Sequence, residues 1–315
     1  IKSPVNNFDI FPLSRMVEAS VQDGDEIIKL EEYADRILQF KKNKMHIINI
    51  SQEIEFLEET FLHKGVSHPA AVCKTDFGVA WVNNLGCYLY DGQKVHNLLE
   101  KGGRQIIKES EWATFTTNEP MIGYLPKKRQ LLVANDVTTT GDGSTFLYDM
   151  VTQSWVKGAA ATITSEDKTN FVTDWNGDLV YVHSTGTVLK WDDASDASNA
   201  VSAITKDIDF GQPGVRKKVY RVYVTYKGAT DTNMDVFFDV NGGTALNKTF
   251  ANGTNFTSSQ LDGSSAWAVA ELKPTTSSQA NNIKSFRLKF VSNGNTPADF
   301  EINDISLSYR LKHIK

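Results

Sequence analysis

Residues 78–92 read GVAWVNNLGCYLYDG. Two apolar runs flank the polar pair Asn83-Asn84, and the second run closes on Tyr90-Asp91-Gly92. That order predicts a strand, a tight turn, a second strand and a second turn. The plan recurs in DRILQFKKNKMHIINI (35–50), in QLLVAND with its continuation STFLYDM (130–150) and in GDLVYVHSTGTVLKWDD (177–193). Three units close on an aromatic followed by Asp, namely Tyr90-Asp91, Tyr148-Asp149 and Trp191-Asp192, at steps of 58 and 43 residues. Steps of that size match propeller blades with variable loops; independent hairpins in one meandering sheet are the alternative. The aromatic is expected to pack between neighbouring units, and the Asp to open the turn that follows.

Four such units do not comfortably close a ring of more than four or five blades, so residues 1–195 read as a β-propeller-like domain. The chain starts at Ile1 and not at Met, and this domain is expected to be incomplete at its N-terminal side. QEIEFLEETFL (52–62) and RQIIKESEWA (104–113) space their charges for short helices between blades.

The small-residue passage WDDASDASNAVSAITK (191–206) leads out of this domain, with the linker at 196–206. From Asp207 the texture changes. Tyr220, Val222, Val224 and Tyr226 alternate with polar residues, as do Met234, Val236, Phe238 and Val240, then Phe286, Leu288 and Phe290. The last strand sets Ile305, Leu307, Tyr309 and Leu311 against Ser306, Ser308, Arg310 and Lys312. A two-residue period with one polar face predicts a C-terminal antiparallel β-sandwich, jelly-roll-like, over 207–315. The stretch 245–269, rich in Asn, Gly, Ser and Thr, reads as long loops or edge strands. The fold class is therefore all-β, in keeping with 27 Thr and 22 Asn beside 21 Gly and 8 Pro.

Composition excludes several functions. A net charge of −5 over 315 residues is no field for holding nucleic acid by its phosphates. The basic clusters Lys41-Lys42-Lys44 and Lys127-Lys128-Arg129 read as solvated turns or strand ends. No run near 18 apolar residues and no signal peptide is present, so membrane insertion is not expected. Cys73 and Cys87 flank a strand-turn stretch; they face each other across a hairpin or are two buried reduced thiols, the reading preferred here.

Catalytic motifs are scarce. His46, His63, His68, His96, His183 and His313 form no HExxH, and only His63 and His68 come close enough in sequence to suggest a metal. GxSxG, SxxK, GxGxxG and GxxxxGK are missing. The Asp-Gly clusters at 21–26 and 138–145 do not follow the EF-hand spacing and read as hairpin turns. Sequons stand at Asn49, Asn247, Asn252 and Asn255. No catalytic residue, cofactor or metal is expected. One enzyme reading stays open: TDWNGDLVYV (173–182) resembles the NDPNG segment of sucrose-cleaving propeller enzymes, which would make Asp174 and Asp178 the paired carboxylates of a glycoside hydrolase, although the Pro is missing.

At KGVSHPAAVCKTDFGVAWVNNLGCYLYDGQ (64–93), DIDFGQPGVRKKVYRVYVTYKG (207–228) and FEINDISLSYRLKHIK (300–315) the chain resembles virion structural proteins of tailed bacteriophages, above all propeller-bearing tail nozzle or hub proteins. The resemblance implies a non-enzymatic subunit of the phage tail that forms a homo-oligomer, a ring of six, around the channel for genome ejection. Its implied partners are copies of itself, other tail or adaptor proteins, and viral DNA as passing cargo. As a binding module instead, the chain would be an adhesin or fibre base, touching host glycans with Trp267 and Phe256.

Overall fold

In a computed structural model of the chain, residues 2–312 are described, apart from 5, 21, 53, 118–119, 136–141, 144, 159–162, 165–170, 183–185, 192–199, 252–259 and 293–299. The protein is all-β: among the described residues the only α-helix is Glu109–Phe115. Two compact units divide it, Ile1–Asp193 and Ala194–Lys315. Four positions of the expected linker, 196–199, lie outside the described residues.

Besides two short two-stranded pairs, the described residues of the first unit form four antiparallel sheets in succession. The first is built from Ile27–Tyr33, Arg36–Lys41, Lys44–Asn49 and Phe56–Leu62, and the second from Val72–Thr75, Gly78–Asn83, Gly86–Tyr90 and Val95–Asn97. Met121–Leu125, Gln130–Ala134, Thr145–Asp149 and Ser154–Lys157 form the third, and Val172–Thr173, Leu179–Val182 and Val188–Lys190 the fourth. Each strand pairs with its neighbour in sequence, so every hairpin read from the repeats is present.

Burial on both faces explains why the central strands read as unbroken apolar runs. Register places Val72, Val79, Trp81, Tyr88 and Tyr90 on one face of the second sheet and Cys73, Ala80, Val82, Cys87 and Leu89 on the other. The aromatic face meets the first sheet: Phe40 contacts Trp81 edge-on at 5.4 Å, and Tyr33 contacts Tyr90 at 6.3 Å. The small-residue face belongs to the same core as the helix residues Trp112 and Phe115 and as Phe146 and Tyr148 of the third sheet. Two indole N–H groups cross that seam, Trp112 Nε1 donating to the Asn83 carbonyl at 2.9 Å and Trp155 Nε1 to the Leu98 carbonyl at 2.8 Å.

Asp opens the turn after each aromatic as expected where it is described. Asp91 Oδ1 accepts from the N–H of Gln93 and of Lys94, both at 2.9 Å. Asp149 Oδ1 does the same for Val151 and Thr152 at 2.9 and 2.8 Å. Asp192 lies outside the described residues.

Two expectations are corrected. Residues 56–62 form the outer strand of the first sheet and no helix, because Glu58 there grips Arg36 two strands away (2.9 Å) while the backbone pairs with Lys44–Asn49. In 104–113 the helix begins only at Glu109, after the short strand Arg104–Gln105.

The second unit is one seven-stranded antiparallel sheet system. Its spine, Lys217–Val240, pairs with Glu301–Leu311 and Gln260–Pro274 along its first half and with Phe286–Ser292 along its second. Val222, Val224 and Tyr226 in the first half and Met234, Val236 and Phe238 in the second are buried in one core, whereas Tyr220, expected on the same face, is exposed because a register shift between Val219 and Arg221 turns Val219 inward instead. The 219–226 and 234–240 alternations thus belong to one continuous strand.

Candidate functional site

Asp174 and Asp178 stand at the turn joining the first two strands of the fourth sheet. Asp174 Oδ1 accepts from the N–H of Asn176 at 2.9 Å and of Asp178 at 2.8 Å, while the Asp174 N–H donates to the Asp178 carbonyl at 2.8 Å. Asp178 lies between Lys127 at 2.6 Å and Lys190 at 3.0 Å. Those two ammonium groups, Lys127 foremost, hold its carboxyl below the usual carboxylate range. Glycoside hydrolysis needs one carboxyl kept protonated opposite one ionised. Here one carboxylate closes a turn and the other is neutralised by lysines, which is the chemistry of a structural corner. Between them Trp175 is 96% exposed.

The two histidines considered for a metal serve the backbone instead. His68 Nδ1 accepts from the Ala70 N–H at 3.2 Å as cap of the short 3-10 turn Pro69–Ala71. His63 has φ +62°, and its carbonyl accepts from Asn83 Nδ2 at 3.2 Å. No cluster of three metal-ligating side chains occurs among the described residues. Among them, too, no helix is long and apolar enough to cross a membrane.

A cleft of about 380 Å³ between the second and third sheets contains a pair the sequence reading missed. His96 Nε2 lies 2.6 Å from Asp91 Oδ2, beside Phe77, Tyr148 and Met150. Burial pushes the Asp91 carboxyl up, but the backbone N–H groups of Lys94 and Gln93 and the His96 ring outweigh it and leave it at about 2. Among the described residues the lining holds no Ser, Thr or Cys for this carboxylate-imidazole pair to activate, and its one hydroxyl is the phenol of Tyr148. The signal was DGQKVH, an Asp and a His brought together by the turn between them. A second cleft, about 430 Å³, lies among the turns beside Lys42, His63, Asn83 and Thr117 and presents amide and hydroxyl groups from its described residues.

Cys73 and Cys87 project from the same face of the second sheet on strands separated by Gly78–Asn83, and both thiols are free. They do not face each other across a hairpin. Burial pushes the Cys73 thiol up to about 12 and Cys87 higher still, which disfavours the thiolate at both.

The two ends of the four-sheet series differ in buried charge. On the outward face of the first sheet, Gln39 and Lys41 are buried beside the segment that ends at Ile27 and His46 is buried with Nδ1 2.9 Å from Thr60, while Ile27, Leu30 and Leu62 on the same face are exposed. Asp23 there binds Lys41 at 2.6 Å and Lys44 at 2.7 Å, and these contacts pull its carboxyl far below the usual range. On the fourth sheet, Leu179 packs inward on Leu125 and Leu132, with Phe171 and Trp191 beside them. Its other face carries Val172, Val182 and Val188, exposed by 55, 45 and 64%.

On the second unit, Trp267 is half-exposed with the Lys227 ammonium 5.2 Å from its ring. Phe256 lies outside the described residues, as do His183 and His313.

No protein-family model matches the chain. No curated protein matches it either. Among solved structures, an exo-β-1,3-galactanase from Phanerochaete chrysosporium, crystallised with galactose, is similar at a TM-score of 0.27 and 11% identity, covering 87% of this chain and 78% of that one. Likeness at that level assigns neither a fold nor an activity.

Proposed function

We propose that the chain is a non-enzymatic structural subunit of a bacteriophage tail, a nozzle or hub protein that assembles into a ring around the path of the genome. Its first unit is read as an open run of propeller blades and its second as a β-sandwich. Successive antiparallel sheets of three or four strands, with aromatic-Asp turns at Tyr90-Asp91 and Tyr148-Asp149, support the first reading. A helix-free sheet whose two halves share one core supports the second.

The observation that carries the functional reading is the exposed aliphatic end of the series, at Val172, Val182 and Val188 beside Trp175. A soluble chain that leaves β-branched side chains uncovered on a sheet face offers a surface for association. The phage identity itself rests on the resemblance at 64–93, 207–228 and 300–315. A net charge of −5 is compatible with a conduit that lets DNA slide past. Imaging of the intact particle tests the reading: the chain belongs in a symmetric ring on the tail axis, and a peripheral position would overturn it.

A second reading, a host-glycan adhesin or fibre base, is favoured by Trp267. Its ring is half-exposed beside Lys227, which also pairs with Glu301 at 3.1 Å, so an apolar stacking plane has charged hydrogen-bonding groups at its edge. Glycan-array binding that disappears in Trp267→Ala supports it; an unchanged array profile removes it.

A further inference from the structure

His46, on the strand Lys44–Asn49 of the first sheet, is 2% exposed and stands between Gln39 and Thr60 in the pairing of the strands. Its Nδ1 lies 2.9 Å from Thr60 Oγ1, and its Nε2 has no hydrogen-bond partner among the described residues. An imidazolium donates from both nitrogens, so a second proton on this ring would leave a buried, charged N–H without an acceptor. Charge opposes it as well. Lys44 lies two residues before His46, and Lys41 two residues beyond its cross-strand partner Gln39, both on the same outward face. Asp23 is divided between those two ammonium groups, and Asp25 is held by the N–H and Nδ2 of Asn43 at 3.1 and 3.2 Å. The outer strand Phe56–Leu62 presents Thr60 and Leu62 to this face, and its Glu58 is taken by Arg36 at 2.9 Å. Ile27–Tyr33 presents Leu30, and its Glu32 pairs with Lys74 at 3.0 Å.

We propose that His46 is an acid-sensitive latch on the outer strand of the first sheet: when the ring takes a second proton, Phe56–Leu62 parts from Lys44–Asn49 and water reaches Nε2. The outer strand is the element that yields. Six of its seven residues are exposed, it pairs on one side only among the described residues, and it carries Thr60, the hydrogen-bond partner of the ring. The strand on the other side, Arg36–Lys41, is buried over its last four residues and paired along both edges. In the closed sheet, burial first and then Lys41 and Lys44 lower the His46 pKa below its ordinary 6.5, against the smaller opposing pull of Asp23 and Asp25. The advantage of the closed sheet is therefore complete above the ordinary histidine value and is lost as pH falls from there towards the lowered one. Asp23 titrates far below that window, so the two groups are separable.

Backbone hydrogen exchange of the whole chain, followed from about pH 7.5 to about pH 5.5 across the histidine range and expressed as protection factors, tests this. Protection over Phe56–Leu62 is expected to hold down to about pH 6.5 and then to fall by up to about tenfold per pH unit, while protection over 79–82 stays level. In His46→Gln, whose amide does not titrate, the fall should disappear; in His96→Gln it should remain. Level protection over Phe56–Leu62 in the wild type overturns the latch, and so does a fall that persists in His46→Gln or vanishes in His96→Gln. If His46→Gln does not fold, an NMR titration of the wild-type imidazole decides. A midpoint below about 6.5 that coincides with the loss of protection supports the latch, and a midpoint at or above that value, or one reached with the strand still protected, overturns it.

Discussion

The first and fourth sheets of the N-terminal unit both leave aliphatic side chains exposed on their outward faces, and they differ in the buried charge beside them. On the first, charge is gathered inward: Lys41 is 4% exposed and depends on Asp23 for a counter-charge. On the fourth, three valines point outward and an adjoining turn holds an almost wholly exposed Trp175. Sheets inside the stack bury both faces, so each terminal sheet must have its outer face sealed or shared. The first sheet has a charged patch that its own chain neutralises through Asp23 beside exposed Leu30 and Leu62, and the fourth leaves its valines exposed with no such buried lysine among the described residues.

The largest expected contrast is between the stack's interior and its fourth sheet. Trp81→Ala removes a fully buried indole packed on Phe40 and Tyr88 and should cost about 3–5 kcal/mol in denaturant unfolding. Val188→Ser should stay within about 0.5 kcal/mol for the isolated chain. Equal costs would mean that the valine face is covered within the chain.

Gly123→Ala comes next. A Cβ there would lie 2.7 Å from the Phe171 Cβ and 2.9 Å from Leu179 Cδ1, so the third sheet approaches the fourth at a point that admits no methyl group. A loss of about 1–3 kcal/mol is expected. Hydrogen exchange should accelerate at 179–182 and remain unchanged at 79–82; uniform acceleration would contradict independent opening of the last sheet.

The charged patch of the first sheet has a pH signature. The folded-state pKa of Asp23 is depressed, by Lys41 first and Lys44 second, so its stabilisation is complete above the unfolded carboxyl pKa of about 4. It is lost as pH falls from there towards the depressed folded value. Asp23→Asn should therefore destabilise the chain at pH 7, and the gap from wild type should narrow in acid. A gap independent of pH would show that the Asp23 charge contributes nothing.

Thiol labelling and Asp174 give the smallest effects. A neutral-pH disulfide reagent should leave the buried Cys87 unlabelled until the chain unfolds, and prompt labelling of Cys87 would contradict its burial. Asp174→Asn keeps a side-chain oxygen for the Asn176 and Asp178 N–H groups, so unfolding should shift by no more than about 0.5 kcal/mol. Saccharide release that depends on Asp174 would revive the hydrolase reading.

Much of the architecture was legible because strand periodicity and turn chemistry are local. The pairings of 36–49, 78–90, 130–149 and 179–190, and the turns that follow Asp91 and Asp149, needed only the residues themselves. Phe56–Leu62 was misread because the charges of the stretch, Glu55, Glu58 and Glu59 among them, fit a helical spacing, and only pairing with a neighbouring strand reveals its true state. The His96–Asp91 pair escaped because it depends on how a turn folds back. The exposure of Val172 and Val188 could not be read at all, since the same alternation describes a face that is covered and one that is not.

The central claim is that this chain works by joining copies of itself through surfaces its own fold leaves open. Native mass spectrometry of the purified protein across a concentration series tests it most directly. A closed species of six copies, growing at the expense of the single chain as concentration rises, is the predicted result; a single chain at every concentration would contradict it.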